Sequence, residues 1–375
     1  MSDHIVNIGI VGAGAVATSV HLPILTRRSD LFKVTAVADF NQAAAHHLAE
    51  RFGIPTDARF TSAYEMINSG KIQAIAIISS GSHCDLVVAA LEAGLNVFCE
   101  KPLAYTQNEM GRIEKSLKTS KGHLMIGYMK TYDPAITHAK KAIGAKRPRT
   151  VDVLVLHPSG ESQLATSEIS VKAFPPSPEL IVGFVKSAQD LEVAALGEAA
   201  AKAFGKEYED IMMGSIIHEL SVLRAFDIHI TQIDFVDRWP RTSRSESFII
   251  HGRTDDGVRV TIRWFYLDKY PMYQEEVRWV NEEEGHHITF SSPYILRVPT
   301  KLVSTRRIGL DHDVSTFESY QPSFEIELVA FHALVTTGKQ EYDPISAGYE
   351  DLNITQMVAR KICELENIAI GGDLL

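Results

Sequence analysis

The chain has 375 residues, of which 45% are hydrophobic and 22% are charged, and it carries a formal net charge of −10. This length exceeds one typical hydrophobic core and predicts two domains. The negative charge argues against a nucleic-acid partner and against an anionic membrane surface, since either would need clustered lysine and arginine. No apolar run reaches the roughly 18 residues that a membrane span requires.

The cysteine and histidine content predicts neither a disulfide framework nor a metal site. Cys84, Cys99 and Cys363 have no metal-ligand spacing, and three cysteines cannot all pair. A reduced compartment is the simpler inference, and the N-terminus lacks the pattern of a secretory signal. We therefore expect a cytoplasmic protein without a bound metal.

In chain order, the first third alternates short apolar strands with helical patterns. We predict strands over residues 5–11, 34–39, 74–78, 97–100 and 124–127, and helices over 15–28, 42–52, 84–93 and 107–120. This βαβ rhythm is typical of a doubly wound parallel sheet. We assign residues 1–127 to a Rossmann domain that binds a dinucleotide.

A glycine turn joins the first strand to the first helix in the form G-x-G-x-x-A. Gly12 permits a tight turn, Gly14 lets the backbone approach a pyrophosphate, and Ala17 allows close packing of helix on strand. The helix that begins near Ala15 and Val16 points free N–H groups at the phosphates. Alone, such glycines can serve packing only, so the surrounding strands and helix are needed for this interpretation.

Asp39 closes the second predicted strand, about twenty residues past the glycines. A carboxylate at this position accepts hydrogen bonds from the adenosine ribose hydroxyls and repels a 2′-phosphate. The sequence therefore favours NAD, with NADP less likely. A nearby basic group would still admit the phosphate.

Ligands of such sheets bind outside the carboxyl ends of the strands. We therefore expect Ser79, Gly81, His83, Glu100 and Lys101 to contact the coenzyme. Lys101 is the sharpest catalytic candidate, because a partly dehydrated ammonium beside a nicotinamide stabilises the alkoxide that appears during hydride loss. The alternative is a surface lysine paired with Glu100, although adjacent strand residues face opposite ways.

After residue 132 the rhythm changes to a helix followed by a long series of strands. Predicted strands over residues 151–156, 247–252, 258–266 and 275–281 are separated by turn clusters, which indicates antiparallel pairing. We assign residues 128–375 to an α+β domain for substrate binding and oligomerisation, whose C-terminal helices pack back on the first domain. Residues 160–180 form either a lid or an inert surface loop.

These motifs resemble the Gfo/Idh/MocA oxidoreductases, named for glucose–fructose oxidoreductase and inositol dehydrogenase. The matching residues are the glycine turn 12–17, His83 ahead of a helix that ends at Ala93-Gly94, and the run Glu100-Lys101-Pro102. The resemblance implies NAD(P)-dependent oxidation or reduction of a sugar, a cyclic polyol such as inositol, or a related carbonyl compound, with Lys101 in the catalytic role. It also implies a homodimer or homotetramer, which an antiparallel sheet with one uncovered face favours as well.

Members of this family usually carry an aspartate four residues before a histidine on one helix of the second domain. His218 matches the histidine, and Gly214 stands at the aspartate position. The resemblance implies that His218 acts as general base and takes the hydroxyl proton. On an α-helix Asp210 is two turns away and Glu219 is rotated by about 100°, so neither replaces the missing partner.

Tyr128, Lys130 and Tyr132 follow the last parallel strand. They are either hydrogen-bond donors to a polyhydroxylated substrate or members of a packed connector.

Two alternatives to a dehydrogenase stay open. One is a redox-neutral enzyme that oxidises a sugar, cleaves its glycosidic bond and reduces it again. The other is an NAD-binding regulatory protein that has lost catalysis, which Gly214 favours.

Overall fold

The computed structural model describes residues 5–166, 174–175, 177–239, 247–295 and 298–375. Six parallel strands form the first sheet in the order β3-β2-β1-β4-β5-β6. Its strands are β1 (Val6–Val11), β2 (Phe32–Ala38), β3 (Arg59–Phe60), β4 (Ala74–Ile77), β5 (Asn96–Glu100) and β6 (Leu124–Gly127). The predicted doubly wound sheet is confirmed.

Helices cover both faces of this parallel sheet, so its central strands are apolar throughout. The helices are α1 (Leu22–Arg27), α2 (Gln42–Arg51), α3 (Ala63–Ile67), α4 (Cys84–Glu92) and α5 (Gln107–Thr119). A capping box between Thr106 and Glu109 begins α5, and Gly94 after α4 has a φ of 75°. Both are the terminal signals that the sequence carries.

Two details of this sheet differ from the predicted elements. The strand β3 and the short α3 were not predicted, because a two-residue strand has no readable period. A π-helical turn, Ala17–His21, precedes α1, where a continuous α-helix over residues 15–28 was expected. Pro23 near the start of α1 has no N–H to donate to an i−4 carbonyl, which breaks the regular ladder there.

The second sheet has eight strands in the order β14-β13-β12-β11-β7-β10-β9-β8. They are β7 (Thr150–His157), β8 (Gln232–Trp239), β9 (Ser247–Arg253), β10 (Arg259–Tyr266), β11 (Gln274–Val280), β12 (Glu284–Phe290), β13 (Thr300–Ile308) and β14 (Asp311–Ser319). All neighbouring strands are antiparallel except β7 and β10, which pair in parallel. The expected predominantly antiparallel sheet with flanking helices is confirmed.

The helices of this second part are α6 (Pro134–Ile143), α7 (Gly160–Thr166), α8 (Pro178–Leu196), α9 (Glu198–Glu207), α10 (Ile217–Ala225), α11 (Ser323–Thr337) and α12 (Pro344–Glu366). A π-helix, Tyr208–Ile216, runs directly into α10. The segment between α11 and α12 returns to the parallel sheet, where the Tyr342 hydroxyl accepts a 3.0 Å hydrogen bond from the Ile126 amide. The Gln107 side chain likewise donates to Gln356 of α12 at 3.0 Å.

The stretch 160–180, expected as a lid or a loop, is helical at both of its ends. Residues 167–173 and 176 lie outside the described residues, while Phe174 and Pro175 are described. No helix within the described ranges combines the length and apolar character that crossing a membrane demands. Cys84, Cys99 and Cys363 are buried and free.

Candidate functional site

The glycine turn after β1 has the geometry that a dinucleotide requires. Gly12 has a φ of +96°, and a Cβ there would lie 2.8 Å from the backbone nitrogen of Ser79, so only glycine fits. A Cβ on Gly14 would meet nothing within 4 Å. The backbone at Gly14 therefore faces open space, where a pyrophosphate can approach closely.

Asp39 lies directly beside this turn. Its Oδ2 accepts a hydrogen bond from the Ala13 amide at 2.8 Å, and its Oδ1 accepts one from the Asn41 amide at 2.8 Å. These two amides fix the carboxylate at the end of β2, so its orientation is set before any ligand binds. A carboxylate held in this way presents its remaining lone pairs to the ribose side of the cleft.

A cleft of about 910 Å³ follows the carboxyl ends of β1, β2 and β4. Among the predicted coenzyme contacts, Gly12, Gly14, Ala15, Asp39, Ser79 and Gly81 line this cleft. Val16, His83, Glu100 and Lys101 are not among the described residues that line it. Six of the predicted coenzyme contacts therefore line one cavity, and the other four lie outside its lining.

His83 and Glu100 brace the loops at the strand ends. The His83 ring lies between the carbonyl oxygens of Ser79, 2.7 Å from Nε2, and Pro102, 2.8 Å from Nδ1. Glu100 pairs with Nε2 of the buried His21 at 2.8 Å. Burial opposes ionisation of Glu100, but the His21 hydrogen bond and the nearby cationic side chains outweigh it and lower its pKa.

Lys101 directly follows the strand β5, and its ammonium group contacts the second part of the chain. Its Nζ donates a 2.7 Å hydrogen bond to the carbonyl oxygen of Gly214, and the peptide bond between Lys101 and Pro102 is cis. Burial lowers the pKa of Lys101, with the carboxylates of Glu100 and Glu219 opposing that effect. The surface ion pair with Glu100, weighed as the alternative, is absent from the described contacts of Lys101.

The helix that receives Lys101 leads from the cleft to His218. Tyr208 and Glu209, at its start, line the cleft, and the Tyr208 hydroxyl donates to the Tyr105 carbonyl at 2.9 Å. Residues 208–216 are π-helical, which changes the α-helical spacing expected between Gly214 and His218. The Trp264 indole donates to the Ser215 hydroxyl at 2.9 Å and anchors this helix on the second sheet.

His218 is partly buried at the start of α10, and its Nδ1 has no hydrogen-bond partner. Burial lowers its pKa well below the usual range, and the positive charges of Lys101 and Lys130 add to that effect. The imidazole is therefore neutral at physiological pH and able to accept a proton. Asp210 instead pairs with Lys206 at 3.1 Å, as expected for a residue two turns away.

A buried ion cluster lies next to this helix. The Lys130 ammonium contacts Glu219 Oε1 at 2.9 Å and Glu275 Oε2 at 2.5 Å, and the Tyr273 hydroxyl donates to the same Glu275 oxygen at 2.5 Å. Burial raises the pKa of Glu219 to about 7, although Lys130 opposes the shift. Lys130 thus links the segment after β6 to α10 and β11. The second carboxylate oxygens, Glu219 Oε2 and Glu275 Oε1, have no hydrogen-bond partner.

The two predicted tyrosines have other surroundings. The Tyr128 hydroxyl donates to the Asp351 carboxylate, with the Arg224 guanidinium stacked 4.8 Å from its ring centroid. Tyr132 is buried and lines a small cavity against α11 and the segment after it. Lys130 thus contacts Glu219, the residue after His218. Tyr128 packs against α12, and Tyr132 packs against α11.

His157, at the end of β7, was not predicted as a site residue. Its ring centroid lies 5.2 Å from that of Trp264 and 5.6 Å from that of Tyr273. Burial lowers the pKa of His157 to about 4, and the charges of Lys130 and Lys101 contribute. Only its position at a strand end could have indicated a site residue in the sequence, because its aromatic neighbours lie far away in the chain.

Comparison with known proteins agrees with this geometry. Residues 6–128 match the model of the Gfo/Idh/MocA oxidoreductases, described as a family with an NAD-binding Rossmann fold. The match covers only this first part of the chain. The resemblance drawn from the glycine turn and the Glu100-Lys101-Pro102 run is thereby confirmed.

An inositol 2-dehydrogenase from Azotobacter vinelandii is 34% identical over 143 residues, which are 38% of this chain and 42% of that protein. The chain thus spans about two fifths of the length of the curated relatives it matches. A myo-inositol 2-dehydrogenase from Lactobacillus plantarum shares the fold with a TM-score of 0.67 and 18% identity, over 98% of this chain and 99% of that one. A 3-ketoreductase from Actinomadura kijaniata, solved with NADP, has a TM-score of 0.67 and 14% identity, over 94% and 96% of the chains.

Within the described ranges, no group of three or more His, Cys, Asp or Glu side chains has the arrangement of a metal site. The described site offers an ammonium group, a neutral imidazole and a buried ion cluster near the cleft.

Proposed function

We propose that this protein is an oxidoreductase that transfers a hydride between a nicotinamide coenzyme and a CH–OH group of a sugar, a cyclic polyol such as inositol, or a related carbonyl compound. One observation supports the proposal most directly. Lys101, at the end of a strand of the parallel sheet, donates a hydrogen bond to Gly214 on the helix that leads to His218. Residues 1–127 then form the coenzyme domain and 128–375 the substrate domain. We further propose a cytoplasmic homodimer or homotetramer.

The open backbone at Gly14 and the fixed carboxylate of Asp39 fit a dinucleotide. When bound, the nicotinamide supplies the acceptor or donor of the hydride. One ammonium hydrogen of Lys101 is used by Gly214, which leaves two to bind the oxygen of the reacting carbon and to stabilise negative charge there. Neutral His218 takes the hydroxyl proton during oxidation and returns it during reduction.

We propose NAD rather than NADP. Asp39 lies at the ribose end, and the described lining of the cleft contains Asp85, Glu192 and Glu209 but no lysine or arginine. A 2′-phosphate would add about two negative charges beside these carboxylates with no cation to pair with. The 3-ketoreductase solved with NADP shares only the fold, at 14% identity, so its coenzyme does not decide the question.

The substrate class rests on the second sheet as well as on the inositol dehydrogenases that match the first part of the chain. The partly exposed rings of His157 and Tyr273 lie beside the Lys130 cluster, and the buried Trp264 packs against His157. Apolar faces of a sugar or inositol ring pack on aromatic rings, while its hydroxyls need acceptors. Glu219 and Glu275 each retain one oxygen without a partner.

The decisive experiment screens sugars and inositols with NAD and follows NADH absorbance. We expect turnover with at least one polyol, and its loss in Lys101→Ala while NAD affinity persists. Product analysis in the same reactions identifies a redox-neutral enzyme, because substrate would be consumed without accumulation of NADH. Measurable NAD affinity with no conversion across the panel would refute the oxidoreductase assignment in favour of a binding protein.

A further inference from the structure

We propose that α8 of the second part of the chain forms a wall of the coenzyme cleft, and that Phe184 and Leu191 hold the purine nucleoside half of the dinucleotide. This inference rests on the proposed function, since it takes the occupant of the cleft to be a nicotinamide dinucleotide. It adds a binding surface outside residues 6–128, to which the family match is confined.

The cleft is lined from two sides. The glycine turn, Asp39 and the loop after β4 form one side, on the parallel sheet. Three consecutive turns of α8 contribute to the other side, through the residues Phe184, Ser187, Ala188, Leu191 and Glu192. A ligand seated against Asp39 therefore lies between the strand ends and this helix.

Direct contacts hold the two sides together at the ribose end. The rings of Phe40 and Phe184 are 5.0 Å apart, and Phe40 follows Asp39 directly. The Asn41 side chain donates to the carbonyl oxygens of Phe174, at 3.3 Å, and Pro175, at 3.1 Å. These contacts place Phe174 and Pro175 at the start of α2, close to Asp39.

The chemistry of this wall suits an uncharged aromatic base. Phe184 is 47% exposed although it faces the cleft, and Leu191 packs partly against the core. A planar purine stacked on Phe184 would bury this apolar surface. Among the described lining residues the charged groups are all acidic, so the adenosine moiety fits this region better than an additional phosphate does.

The outer face of α8 supplies a matched control. Val182 is 68% exposed and does not line the cleft, whereas Phe184, two residues later, does. Truncation of either side chain removes exposed apolar atoms from the same helix. Only truncation of Phe184 removes a contact with the bound base.

The test uses the full-length chain and three probes: NAD, ADP-ribose and nicotinamide mononucleotide. Because stacking of a base on an aromatic ring contributes substantially to binding, we expect Phe184→Ala to raise the Kd of NAD and ADP-ribose by about tenfold. Its Kd for the mononucleotide, which lacks the purine, should match the wild type. Phe184→Tyr, which keeps the ring, and Val182→Ala should bind NAD normally.

Three results would overturn the inference. Equal NAD affinity in Phe184→Ala and Val182→Ala would show that α8 does not touch the base. An equal loss of mononucleotide affinity in Phe184→Ala would show a general distortion of the cleft. Absence of NAD and ADP-ribose binding in the wild type would refute the proposed function together with this inference, which distinguishes it from the first two results.

Discussion

The Lys101 ammonium donates its 2.7 Å hydrogen bond to the carbonyl oxygen of Gly214, which stands at the position where the family resemblance implies an aspartate. The acceptor is a backbone atom, so any residue at 214 provides it. Gly214 lies within the π-helical segment Tyr208–Ile216, where the winding is wider than that of an α-helix. The aspartate is therefore not needed to hold the ammonium in place.

Gly214→Ala tests whether the backbone is the functional acceptor. A Cβ at 214 would lie 3.2 Å from the Glu209 carbonyl oxygen, a tight contact that a shift of a few tenths of an ångström relieves. We expect activity within about threefold of the wild type and a change in unfolding free energy below about 1 kcal/mol. Steady-state kinetics and urea unfolding measure both. A hundredfold loss of kcat in a folded variant would instead assign a role to the open space at Gly214.

Lys101→Met removes the ammonium and keeps most of the side-chain volume. By analogy with the loss of one donor to a developing oxyanion, we expect kcat to fall by at least 10²-fold. Calorimetric NAD affinity should change little, because Lys101 is outside the described cleft lining. The exposed Lys121, changed to Met, is the control. Retention of wild-type turnover in Lys101→Met would remove this lysine from the mechanism.

Asp39→Asn tests the choice of coenzyme. The amide keeps the size of the side chain and one acceptor for the Ala13 or Asn41 amide, but it removes the negative charge at the ribose. We expect the ratio of NAD to NADP affinity to fall by about tenfold, mainly through tighter binding of NADP. Titration of both coenzymes by fluorescence gives the ratio. An unchanged ratio would mean that other groups select the coenzyme.

The sequence predicted those parts of the site that depend on a few consecutive residues. The glycine turn, Asp39 and Lys101 each adjoin a strand end, and parallel strands bring their carboxyl ends to one edge of a sheet. The ion cluster was not predictable, because Lys130, Glu219 and Glu275 come from a turn, a helix and a strand far apart in the chain. No local pattern specifies which distant carboxylates meet a buried lysine.

The same reasoning explains the helix that bears His218. A family pattern and α-helical spacing place His218 one turn after residue 214, but the π-helical winding depends on packing that periodicity does not encode. The contribution of α8 to the cleft was equally unpredictable from the sequence. Its apolar residues are ordinary for a helix that packs on a core, and only the fold shows Phe184 facing Phe40 across the cleft.

Lys130→Met should strongly destabilise the fold. It leaves the buried carboxyl groups of Glu219 and Glu275 without their shared cation, which typically costs about 3–5 kcal/mol. The exposed pair Lys118–Glu114 provides the comparison, since Lys118→Met should cost less than about 1 kcal/mol. Adding Glu219→Gln to Lys130→Met should recover part of the loss. Denaturant unfolding of the four proteins checks this, and a cost below 1 kcal/mol for Lys130→Met would contradict it.

Glu219 should make stability depend on pH in a defined direction. Burial raises its folded-state pKa from 4.5 to about 7, so the folded protein holds this proton more tightly than the unfolded chain does. The resulting contribution is fully present below about pH 4.5 and is lost as pH rises through 7. Lys130 stays charged throughout this range, because the carboxylates outweigh its burial and raise its pKa. Glu219→Gln keeps the size of the group and cannot titrate, so its unfolding free energy should fall less between pH 5 and 8 than that of the wild type. Parallel slopes for the two proteins would show that Glu219 is already ionised at pH 5.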